Sequence, residues 1–180
     1  MTDLWRNALW RQFGAAIDML DNAVRACPGS LWTGPVWIDY SEHPVPDGFT
    51  AFWNVTYHTL FWLDLYLFGS EEGFVPPQPF TAIELDPDGA MPPAVYDKEL
   101  LRGYLASLRA KCRTTLTELT DEQAARPCLF PWSGGETISY FELQIYSLRH
   151  IQEHAAQLFL FLGQRITEPN DNWVARTGTE

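Results

Sequence analysis

The 180-residue sequence predicts an all-α fold, a four-helix bundle with long irregular connections. Three observations predict it. Four long stretches repeat apolar side chains at helical spacing, Pro- and Gly-rich breaks separate them, and no strand-like alternation competes. With 46% hydrophobic and 19% charged residues, the chain has enough apolar surface for one core at this length.

The first helix is expected over residues 4–26, where Leu4, Leu9, Phe13, Ile17, Leu20 and Val24 share a face. Thr2 or Asp3 caps its start, and Cys27-Pro28-Gly29 stops it. The second covers 48–68 and is apolar nearly all round, so it is expected to be buried. The third covers 96–119, with Leu101, Tyr104, Leu105, Leu108, Cys112, Leu116 and Leu119 inward and Lys98, Arg102, Arg109 and Arg113 outward. Thr120-Asp121-Glu122-Gln123 reads as a capping box for a short helical turn. The fourth long helix covers 138–162, with Ser139 and Glu142 as its cap and Gly163 as its end. Two long connections, 30–47 with Trp32 and Trp37 and 69–94 with six prolines, lack any helical period. The bundle is expected over residues 1–165, and 166–180 forms a polar C-terminal tail anchored only by Trp173.

Charge narrows the partners. A formal net charge of -11, from 12 basic against 23 acidic residues, excludes a direct nucleic-acid role and opposes docking on an anionic membrane. No run of about 18 apolar residues is present, and the start lacks the apolar segment of a secretory signal. Cys27, Cys112 and Cys128 are odd in number and far apart, so they read as reduced thiols of a cytoplasmic protein.

Chemistry concentrates in the histidines. His150 and His154 stand four apart on the last helix, which places them on one face, about 5–6 Å apart at Cβ. His58 lies on an apolar stretch of the second helix, where a buried imidazole needs partners for both nitrogens. Three imidazoles with one open position make a catalytic type of metal site, here His58, His150 and His154. The competing readings are a surface pair, a hydrogen-bonded core histidine and, for His43, a solvated loop residue. His150-Ile151-Gln152-Glu153-His154 also matches the H-x-x-E-H signature of inverted zinc proteases. Those enzymes are far larger and need a further acidic ligand well downstream, so the match reads as coincidence.

The run Trp53-Asn54-Val55-Thr56-Tyr57-His58, followed by Phe61-Trp62-Leu63-Asp64, resembles the DinB/YfiT-like superfamily. So does Arg149-His150-Ile151-Gln152-Glu153-His154-Ala155-Ala156-Gln157-Leu158 in the last long helix. The resemblance covers roughly residues 4–163. It implies a four-helix bundle with a zinc, nickel or similar divalent transition metal on His58, His150 and His154. It further implies a cytoplasmic protein, often a homodimer, whose relatives include transferases and isomerases using a low-molecular-weight thiol such as bacillithiol or mycothiol.

The resulting expectation is a metal-dependent enzyme, a thiol-dependent S-transferase or a hydrolase, acting on a small electrophile. The metal would activate water or a thiol. Trp53, Trp62, Tyr146 and Phe161 are candidate pocket walls, Asn54 and Gln157 candidate orienting groups, and Glu153 a candidate catalytic proton shuttle. The alternatives are a non-catalytic, stress-related module in which the metal ties the second helix to the fourth, and a metal-free bundle acting through protein contacts.

Overall fold

Five helices carry the fold of the computed structural model, which describes residues 2–39, 41–42, 45–167 and 172–178. They are α1 (Asp3–Ala26), α2 (Phe52–Phe68), α3 (Lys98–Thr117), the short α4 (Asp121–Ala125) and α5 (Tyr140–Gly163). His43 lies outside the described residues. α1 and α2 each pack on both α3 and α5, so the four long helices form a bundle with α1 and α2 across its diagonal. No helix among the described residues is long and apolar enough to cross a membrane.

α1 turns its apolar stripe inward from Trp10 onward. Leu4, expected on that stripe, is 74% exposed, because the first turns of α1 run past the buried part of the bundle. Thr2 occupies the cap position without a side-chain capping bond. Cys27 takes the extended backbone that the following Pro28 imposes, and the helix ends there.

α2 starts four residues later than its apolar pattern predicts, and the connection before it explains why. The Phe52 and Trp53 N–H groups donate to the carbonyls of Gly34 and Trp32, both at 3.0 Å. Two of the donors that a helix start leaves without partners are thus satisfied by the Trp-rich connection. From Phe52 to Leu67, only His58 and Trp62 escape full burial. The threonines inside α2 are paired: the Thr56 and Thr59 hydroxyls donate to the Phe52 and Val55 carbonyls. Gly69 ends the helix at φ 90°, a left-handed position that suits glycine.

Asp97 caps α3 by accepting the Leu100 N–H, and Leu101, Tyr104, Leu105, Leu108, Cys112 and Leu116 are buried as their spacing requires. The Thr120–Gln123 capping box is formed at α4. One small ribbon has no counterpart in the expected elements: β1 (Pro127–Cys128) pairs antiparallel with β2 (Ile138–Ser139). Two-residue strands carry no alternation to detect. β2 takes the first two residues expected of the last helix, and Ser139 then caps α5 by accepting the Glu142 N–H.

The long connections are pinned to the bundle. Trp32 is buried and its indole N–H donates to the Tyr96 carbonyl at 2.9 Å. Phe80 is buried and stacks on Tyr104 at 4.4 Å, while the Tyr57 hydroxyl donates to the Thr81 carbonyl. A single 3-10 turn, Ala82–Leu85, follows. Central aromatic contacts such as Phe52 with Phe161 fix α2 against α5, and truncating one such ring costs about 3–5 kcal/mol.

The tail departs from expectation. Trp173 is 73% exposed, whereas Asn172 and Thr177 are buried. Thr177 presses its methyl against Gly14, where a Cβ would collide with it. Its N–H donates to the Arg11 carbonyl. A small residue fits this notch and an indole does not.

Candidate metal centre

His58 stands on one of the two partly open positions of α2, facing α5, where His150 and His154 lie one turn apart. The His150 Nε2 is 3.1 Å from the Nε2 of His58 and 3.1 Å from that of His154. One ligating nitrogen from each ring lies within 4.8 Å of the others. At metal–nitrogen bonds of 2.0–2.1 Å, tetrahedral ligands stand about 3.3–3.4 Å apart, so three imidazoles at this spacing fit around one ion.

The remaining nitrogens decide what the converging ones present. His58 Nδ1 lies 2.7 Å from Glu84 Oε2, which accepts, so Nδ1 carries the proton and Nε2 offers a lone pair. His154 Nδ1 lies 2.8 Å from Gln157 Oε1, with the same consequence. His150 Nδ1 is buried and has no partner. With all three imidazoles in the neutral form that binds metal, the converging nitrogens share one proton at most. Burial above all, and then His58 and His154, push the His150 imidazole down to about 2. Burial, again ahead of His58, holds His154 below its ordinary value. Both are neutral at physiological pH, the form that binds metals.

A cavity of about 100 Å³ opens beside His58 and His154, lined also by Trp37, Phe49, Asn54 and Val55. Asn54 is buried there and donates its amide N–H to the Phe49 carbonyl, while its Oδ1 has no partner. Trp62 lies beside the triad, with its indole N–H donating to Glu84 Oε2 at 3.2 Å. Gln157 sits behind His154.

Other candidates fall elsewhere. Tyr146 stacks on Trp132 at 4.3 Å and meets Tyr66, whose ring lies 6.3 Å from His150, so it stands behind the triad and not in the cavity. Phe161 is a core ring against Phe52, and Trp53 is buried against Tyr96. Glu153 is exposed and lines a surface cleft with Gln12, Arg149 and Trp173. One residue along α5 rotates a side chain by about 100°, which carries Glu153 off the histidine face. The cysteines are free and buried, and burial pushes the Cys27 thiol up to about 11. Trp37, Phe49 and Glu84 were not singled out from sequence: no spacing rule links a residue in a connection to a helical histidine, and only the tryptophans of 30–47 marked that segment.

A family model of the DinB superfamily matches residues 12–158. The chain belongs to the DinB superfamily. The helical-bundle resemblance read from its two histidine motifs is thereby shown. No curated protein and no solved structure matches the chain. In this DinB protein the three histidines of those motifs form a cluster compatible with holding a metal ion.

Proposed function

We propose that this DinB-superfamily protein is a metal-dependent enzyme that holds one zinc or nickel ion on His58, His150 and His154 and acts on a small electrophile. The reaction class is thiol-dependent S-transfer or hydrolysis. The observation that carries the metal is the surplus of lone pairs: three neutral imidazoles bring their Nε2 atoms together with one proton at most among them. A divalent ion answers that surplus and, when bound, supplies Lewis acidity that lowers the pKa of water or a thiol.

The residues of the chain do the rest. Glu84 and Gln157 hold His58 and His154 in the tautomer that presents Nε2. Trp37, Phe49 and Val55 wall a cavity with room for the reacting end of a small molecule. Buried Asn54 lies at that wall to orient it.

The alternative of a purely structural metal has less support. α2 and α5 are already joined by the Phe52–Phe161 contact, by the Tyr140 hydroxyl on the Leu67 carbonyl and by the Gln144 amide on the Tyr66 carbonyl. Elemental analysis of untagged protein tests the metal. About one ion per chain, lost in His58→Ala and His150→Ala with the helical signal kept, is expected. No metal in the wild type after reconstitution with zinc and nickel overturns it. Turnover of a thiol plus electrophile that survives in His154→Ala overturns the catalytic part.

A further inference from the structure

We infer that Glu84 is a positioning residue of this centre: its carboxylate locks His58 as an Nε2 ligand and makes it the strongest donor of the three. The inference rests on the metal reading above. Glu84 lies in the 3-10 turn Ala82–Leu85, far from the histidine motifs in sequence. The turn is held to the bundle on its leading side by buried Phe80 and by the Tyr57 hydroxyl on the Thr81 carbonyl. It is closed on its trailing side by the Asp86 N–H on the Ile83 carbonyl.

The carboxylate is placed with two donors on one oxygen. Oε2 accepts from His58 Nδ1 at 2.7 Å and from Trp62 Nε1 at 3.2 Å. Those two side chains are one turn apart and are the only positions of α2 between Phe52 and Leu67 that are not fully buried. The gap in burial on α2 is therefore filled by Glu84, whose side chain is 12% exposed. Desolvating a carboxylate is costly, and the two hydrogen bonds donated by His58 and Trp62 offset that cost here.

The three ligands are backed unequally. His58 has a carboxylate behind it, His154 has the neutral Gln157, and His150 has no partner. A carboxylate behind an imidazole fixes its ring and raises its basicity, and removing such a partner weakens metal binding by about 10–100-fold. Glu84 also brings one negative charge against a divalent ion that three neutral imidazoles leave uncompensated.

Zinc competition against a chromophoric chelator tests this with Glu84→Ala, Glu84→Gln and Gln157→Ala. Zinc affinity should fall about 10–100-fold in Glu84→Ala, less in Glu84→Gln, which keeps an acceptor without the charge, and least in Gln157→Ala. A metal-independent reading comes from imidazole nitrogen NMR of the metal-free protein. His58 should be the Nδ1–H tautomer in the wild type and should shift toward Nε2–H in Glu84→Ala, with the helical signal unchanged. Wild-type zinc affinity in Glu84→Ala and Glu84→Gln overturns the inference, as does a His58 tautomer that ignores Glu84→Ala. A wild type that takes no zinc overturns the proposed function instead, and the NMR result then decides alone whether Glu84 holds His58.

Discussion

Between α1 and α3, Asp18 receives the Arg109 Nε–H at 2.7 Å and the Thr177 hydroxyl at 2.8 Å, and Arg109 in turn donates to Thr177. Between α2 and α5, three imidazoles turn lone pairs toward one another and leave a buried nitrogen with no partner. The two clusters are similar in size and both are partly buried. In the first, opposite charges meet and donors find acceptors. In the second, the converging lone pairs are compatible with holding a metal ion. Buried polar groups in native proteins are nearly always paired, so convergence of three imidazoles without matching donors singles out the second cluster as the candidate ligand site, while the first serves cohesion.

The largest expected effect sharpens this contrast. Zinc at about 100 times its dissociation constant should raise the unfolding free energy by about 2.7 kcal/mol, read as a chelator-reversible rise in melting temperature. The rise should vanish in His150→Ala, and its persistence there would place the ion elsewhere. Next comes the first cluster. Arg109→Ala leaves Asp18 and Thr177 short of a donor and removes a cation over the Trp10 ring, so urea denaturation should show a loss of about 2 kcal/mol. Its metal content should equal that of the wild type.

Acid should act on the second cluster. His150 is depressed to about 2, while an unfolded histidine titrates near 6.5, so between those values the unfolded chain binds the proton that the folded one refuses. Stability of the metal-free protein therefore falls as pH drops below 6.5, by up to about 1.4 kcal/mol over the first pH unit for this one group. His154 is depressed too and adds in the same direction. Denaturation of His150→Leu across that range should show a shallower slope, and an identical slope would exclude His150 as the cause. The smallest effect is the change at neutral pH. His150→Leu in metal-free protein should lie within about 1 kcal/mol of the wild type, because it removes a buried group that had no partner for Nδ1.

Much of this was legible in the sequence, for reasons that differ by residue. Helical periodicity is local, so α1, α3 and α5 emerge within a few residues of their true bounds, as do the caps at Thr120 and Ser139. The i,i+4 spacing of His150 and His154 dictates a shared face, and His58 stood out as an imidazole on an apolar helix. What stayed hidden depends on contacts distant along the chain. The apolar pattern of α2 begins four residues before the helix because its start is fixed by the Trp32 and Gly34 carbonyls, which no local pattern announces. Phe161 and Trp53 looked like pocket walls because an aromatic ring in a core and one in a cavity share the same composition. Glu153 sat beside a histidine in sequence, but adjacency on a helix means divergence in space. Trp173 is the aromatic residue of a polar tail, but burial falls on Thr177, a residue type that gives no sequence signal for anchoring.

The connection that supplies those carbonyls also carries Trp37, and Phe49 follows it, so one strap both roofs the cavity and closes the first turn of the helix bearing His58. Roof and helix are then a single mechanical part. A molecule that displaced this wall would loosen the Phe52 and Trp53 amides, and faster hydrogen–deuterium exchange at those two positions on ligand entry is the expected sign.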